Sequence, residues 1–160
     1  MINDSNIANS HSSTVGKALQ KSQSIPSGQL YPFTKTILIV DDDPDIIFTF
    51  KKGLEAENEK NNKMFFKVYT HNNPISALLE FKPDFYDLIL IDINMPKMDG
   101  IELSNKILEL DGNVKICLVT AGEANVEVLR ELYPTRSIGC FIKKPVEIEK
   151  FVRRVKAELE

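Results

Sequence analysis

The chain has 160 residues, about one domain's worth, and is 42% hydrophobic and 27% charged, a balance that suits a soluble globular protein. A net charge of -3 argues against a dedicated nucleic-acid binder, which would carry a basic surplus. No apolar run approaches the roughly 20 residues needed to cross a bilayer, and the N-terminus has no signal-like apolar segment, so the expected location is cytoplasmic with no membrane partner. Cys117 and Cys140 sit in the apolar runs "KICLV" and "IGCFI" and read as small core side chains. They show no zinc-ligand spacing. His11 and His71 have no ligand-like neighbours and read as surface or loop residues.

Residues 1–33 are rich in Ser, Asn and Gln and cannot bury enough surface to offset chain entropy, so they are expected to form a disordered tail. Residues 34–160 form the expected folded domain. "TILIV" is a continuous, β-branched apolar run, as in a strand buried on both faces. "DDDPDIIFTFKKGLEAE" reads as a helix capped by Asp43, with Pro44 at its first position, Asp45 favouring the N-terminal dipole, and Ile47, Phe50 and Leu54 as its apolar stripe. "ENEKNNK" reads as a loop and "MFFKVYT" as the second strand. "NNPISALLEF" is a second helix capped by Asn73, and "YDLILID" a third strand. "GIELSNKILEL" places Leu103, Ile107 and Leu110 on one helical face. "VKICLVT" is the fourth strand, "EANVEVLRELY" the fourth helix and "GCFIK" the fifth strand. The last helix, "PVEIEKFVRRVKAELE", carries Ile148, Phe151, Val152, Val155 and Leu159 at helical spacing.

Strand and helix therefore alternate five times. That pattern predicts an α/β fold, a flavodoxin-like (βα)5 doubly wound parallel sheet with strand order 2-1-3-4-5 and right-handed crossovers. A closed barrel would need eight such units.

In such a sheet ligands bind beyond the carboxyl ends of the strands, near the switch point between the first and third. Asp41 and Asp42 follow the first strand. Asp92 ends the third, with Asn94 two residues on. Thr120 ends the fourth strand, and Lys143 and Lys144 end the fifth, before Pro145. Each residue has a plain reading alone: Asp43 and Asp45 as cap and dipole residues, Asp41 or Asp42 as a turn residue, Lys143 as a solvated cation. Their joint placement implies more. Converging carboxylates repel, and an oxygen-seeking divalent cation such as magnesium relieves the repulsion. A hydroxyl and an ammonium opposite make an anion site that suits a phosphoryl group, with Asp92 as nucleophile.

"ILIVDDDP", "LILIDINMPKMDG", "LVTA" and "FIKKP" resemble, in order and spacing, the signature segments of the receiver domain of two-component response regulators. The resemblance spans Thr34 to Glu160. It implies that Asp92 is the phosphoacceptor and that Asp42, Asp92 and the Asn94 carbonyl hold Mg2+, with Asp41 acting directly or through water. It implies that Thr120 contacts the phosphoryl oxygen, that Lys144 rather than Lys143 is the signature lysine, and that Phe141 is the switch aromatic, without the hydroxyl of the tyrosine often found there. It also suggests a cis bond between Lys144 and Pro145. The implied function is a stand-alone switch, not an enzyme, that promotes its own phosphorylation and dephosphorylation. A histidine kinase or phosphotransfer protein would be its donor. The face of the fourth helix, fifth strand and fifth helix would control an unknown downstream protein, with no nucleic acid bound in cis, as a monomer or a phosphorylation-dependent dimer. Two rivals stand against this. A phosphatase of the haloacid dehalogenase type wants an acid two residues after the nucleophile, where Asn94 stands. A docking pseudo-receiver would not need all five site residues.

Overall fold

The computed structural model describes residues 33–60, 64–122, 126–132 and 138–160. His11 and all but the last residue of the expected tail lie outside these. That last residue, Phe33, belongs to the first strand, where it pairs with Met64. The strands are β1 (Phe33–Val40), β2 (Met64–His71), β3 (Leu88–Asp92), β4 (Lys115–Ala121) and β5 (Ile138–Lys144). All neighbouring pairs are parallel, in the order β2-β1-β3-β4-β5 expected from the sequence. The helices are α1 (Pro44–Lys60), α2 (Pro74–Leu79), α3 (Gly100–Leu110), α4 (Val126–Leu132) and α5 (Ile148–Leu159).

The apolar runs of β1 and β3 form strands because each buries both faces, and the period of two splits them between two cores. Ile37, Ile39, Leu88 and Leu90 meet Phe50 and Leu54 of α1 and Phe151, Val152 and Val155 of α5. Phe50 and Phe151 stack there at 3.9 Å between ring centroids. Leu38, Val40, Ile89 and Ile91 meet Leu103 and Ile107 of α3 and Ala77 of α2. The caps read from sequence are formed. Asp43 Oδ1 accepts from Asp45 N at 2.9 Å, and Asn73 Oδ1 from Ile75 N at 2.9 Å.

Several local readings change. Leu110 is 54% exposed rather than part of the α3 stripe. Leu103 and Ile107 lead by a further i+4 step to Asp111, which takes the inward place. Its carboxylate accepts amides from Asp84, Asn113 and Val114 and closes the turn. His71 is not a loop residue but the end of β2. Cys117 and Cys140 are core residues, as expected, and in addition form a disulfide between β4 and β5. Ile116 pairs with Ile138 but Cys117 with Cys140, so Gly139 is an extra residue in β5, and it brings the two sulfurs into register.

Of the loop expected at "ENEKNNK", residues 57–60 belong to α1, which continues to Lys60, and the rest lies outside the described residues. Asn58 ties this end of α1 to β2. Its amide donates to Phe66 O at 3.0 Å and accepts from Phe66 N at 2.8 Å, mimicking a neighbouring strand on the open side of β2. Asn58→Ala removes both bonds and should cost about 1–2 kcal/mol. Urea unfolding would measure the loss, and divalent-cation binding at the far end of the sheet should be unchanged.

Candidate functional site

β3 is buried along its whole length and paired on both sides. Ile93 N donates to Val119 O at 2.8 Å and extends the β3–β4 ladder just past Asp92. Asp92 is thus fixed at the carboxyl edge of the central strand, 3% exposed. Asp41 follows β1 and is equally buried, and its backbone N donates to His71 O at 3.2 Å. Lys144 ends β5 and reaches across both: Nζ lies 2.7 Å from Asp41 Oδ2 and 2.7 Å from Asp92 Oδ1. Its peptide bond to Pro145 is cis. Asp42 is exposed, yet one carboxylate oxygen from each of Asp41, Asp42 and Asp92 lies within 4.8 Å of the others.

Burial is the largest influence on Asp41 and lifts its carboxyl above the ordinary value. The hydrogen bonds from Lys144 and the Asp43 amide oppose it without prevailing. Lys144 shows the reverse balance. Burial pulls its ammonium down, but hydrogen bonds to Asp41 and Asp92 more than offset this and hold it above the usual lysine value. Three carboxylates thus face one ammonium, and the cluster carries excess negative charge. All-oxygen donors with one side open to solvent fit a hard divalent cation that keeps several waters.

An Asp whose folded pKa is raised contributes stability in acid that is lost as pH rises through that value. Ionised Asp41 is therefore a cost at neutral pH. Asp41→Asn should raise the stability of the metal-free protein by about 0.5–2 kcal/mol while weakening magnesium binding, the usual trade between stability and function. Denaturation in a chelator, beside calorimetric titration with magnesium, would show both effects.

The remaining sequence-derived residues fall in two places. Asn94 is exposed in the loop after Asp92, and Lys143 is exposed on β5. Thr120 is fully buried, and its hydroxyl donates to the Ala121 carbonyl at 3.3 Å. Phe141 is half-buried against the α3-side core. By strand parity Asp92 and Lys144 share the α1/α5 face, whereas Thr120 and Phe141 share the other. Gly100 was not singled out from the sequence. It starts α3 against the Asp92 carbonyl, and "DG" before a helical stripe was the available signal.

Fold and site together define a flavodoxin-like doubly wound domain with an acidic centre at the switch point of its sheet. The "response regulator receiver domain" family matches residues 37–156, and the chain belongs to that family. Similar curated proteins include the heme response regulator HssR of Staphylococcus saprophyticus, 31% identical over 78% of this chain and 51% of that protein. Another is the transcriptional regulatory protein PrrA of Mycobacterium tuberculosis, 28% identical over 77% of this chain and 49% of that protein. The chain spans about half the length of these relatives. A CheY-like receiver domain protein from Methanospirillum hungatei superposes with a TM-score of 0.63 at 28% identity, over 79% of this chain and 94% of that one. The chain is thus a receiver domain of the two-component type, a phosphoacceptor fold. Among the described residues no helix is long and apolar enough to cross a membrane.

Proposed function

We propose that Asp92 accepts a phosphoryl group from a phosphohistidine on a histidine kinase or phosphotransfer protein. The observation that carries this is Lys144 Nζ held 2.7 Å from both Asp41 and Asp92 at the carboxyl edge of the sheet. An Asp92 oxygen attacks phosphorus, the P–N bond breaks, and its electron pair stays on the imidazole. Asp41, Asp42, Asp92 and the Asn94 carbonyl are the residues that would hold Mg2+. When bound, this ion supplies positive charge against the oxygens of the transferring group. Lys144 supplies a second cation from the opposite side, and buried surroundings strengthen its effect.

The acquired charge, about -1.5 to -2 by analogy with other phosphorylated side chains, draws Lys144 and the Thr120 hydroxyl toward it. Thr120 leaves the Ala121 carbonyl, and Phe141, on the same face, repacks in the space vacated. The α4–β5–α5 surface changes and acts in trans on a separate downstream protein. On α5, Lys150 pairs with Glu147, Arg154 with Glu158 and Lys156 with Glu57 of α1, so this surface carries both signs of charge. An attached output half, as in a longer transcriptional regulator, is the rival to action in trans. The intact mass of the native product would separate the two.

Incubation with acetyl phosphate and magnesium tests the central reading. A mass gain of one phosphoryl group is expected. Steady hydrolysis of many phosphoesters without an adduct would instead indicate a phosphatase, and no change would indicate a docking module.

A further inference from the structure

The β3–α3 loop, residues 93–99, joins Asp92 to the first turn of α3 and contains Asn94. Its two ends are held together. Gly100 N donates to Ile93 O at 2.9 Å, and Met95 N donates to the same carbonyl at 3.3 Å. A Cβ on Gly100 would overlap the Asp92 carbonyl oxygen and lie 2.9 Å from both the Asp92 carbonyl carbon and Ile93 Cα. All three neighbours are backbone, so none can swing aside as a side chain would. From the helix side, the Ser104 hydroxyl donates to Gly100 O at 2.6 Å and holds the first turn in place. Met95 and Met98, each 8% exposed, drive the loop into the α3-side core. Between them Lys97 adopts a left-handed φ of 72°, a conformation that a non-glycine residue keeps only under outside constraint.

We infer that Gly100 and Met95 are positioning residues for the phosphoacceptor site. Gly100 lets α3 press directly on the Asp92 backbone. Met95 anchors the loop immediately after Asn94. Together they fix the spacing between the Asp92 carboxylate and the Asn94 carbonyl, two groups that must face the same cation. The inference rests on the function proposed above. A methyl group at position 100 has to push either Asp92 or the start of α3 away. A displacement of about 1 Å at a reacting centre can cost about 10²-fold in rate.

The test compares Gly100→Ala and Met95→Ala with Ile107→Val. Ile107 is buried on the same helix, seven residues beyond Gly100, and its shortening perturbs the core that also holds Met95 and Met98 while leaving every loop residue unchanged. Magnesium affinity by calorimetry and the rate of acetyl-phosphate labelling are read at a temperature where circular dichroism shows each variant folded. Both site variants should bind magnesium more weakly, and Gly100→Ala should label about 10²-fold more slowly, with Ile107→Val at parent values. If Gly100→Ala does not fold, Met95→Ala carries the same comparison. Parent-like affinity and rate in the folded site variants, beside a parent that labels, would overturn the positioning roles alone. A parent that takes neither magnesium nor label would overturn the phosphoacceptor reading and this inference with it.

Discussion

Asp92→Asn should abolish labelling by acetyl phosphate while the fold persists. The amide fills the same volume at the end of the same buried strand, and its oxygen can still accept from Lys144, which lies 2.7 Å from Asp92 Oδ1. The change removes the nucleophilic oxygen pair and one charge of the cluster. Phosphoryl transfer depends on positioning and charge stabilisation, so the neighbouring carboxylates cannot substitute from where they stand. Asp41 is held by the Asp43 amide at 3.0 Å and by Lys144, and Asp42 is exposed. The metal-free variant should be no less stable than the parent, because one of three clustered like charges is gone. Intact-mass spectrometry with a base-lability check reads the first effect and thermal denaturation in a chelator the second. A base-labile acyl phosphate at the parent's level would move the acceptor to Asp41 or Asp42.

The acidic centre was legible because each strand run breaks abruptly into polar residues. A continuous apolar segment such as Leu88–Ile91 has one reading in a parallel sheet, and topology then decides which strand ends meet. Features that depend on register or on close approach were not legible. The Cys117–Cys140 bond needs the extra Gly139 in β5, which no periodicity reveals. Asn58 lies in a polar stretch that reads as a loop, and its two bonds to Phe66 tie this end of α1 to β2. Asp111 takes the inward place at the C-terminal end of α3 and displaces Leu110 from the expected stripe. Thr120 lies near the end of β4 and Phe141 in the middle of β5. That they share the face opposite Asp92 and Lys144 follows from pleat parity once the β5 bulge is counted.

Lys144→Ala should reduce labelling without abolishing it, and should destabilise the metal-free protein by about 3–5 kcal/mol, as expected when one partner of a buried ion cluster is deleted. The lysine side chain is 16% exposed and its two partners 3% and 4%, so solvent offsets the lost ammonium only in part. The nucleophile remains, which preserves slow transfer, but a cation opposite the developing charge is lost. The pH dependence follows from the sign of the shifts. In the parent, the raised value of Lys144 keeps its contribution intact at neutral pH, and that contribution is lost only as pH climbs through the raised value, above the ordinary lysine range. In the variant, Asp41 loses its hydrogen bond and its attraction to Lys144, both of which lower its pKa, so its already raised value moves further up. Stability from such a carboxyl is present in acid and lost as pH rises through the folded value. The deficit relative to the parent should therefore be small near about pH 4, where carboxyls protonate, largest around neutral pH, and smaller again as pH climbs through the raised lysine value. Magnesium should stabilise the variant more than the parent, since it would restore positive charge to three unpaired carboxylates. Urea titrations across pH, in chelator and in magnesium, would measure each of these. A deficit that was independent of pH and indifferent to magnesium would show that Lys144 contributes packing alone.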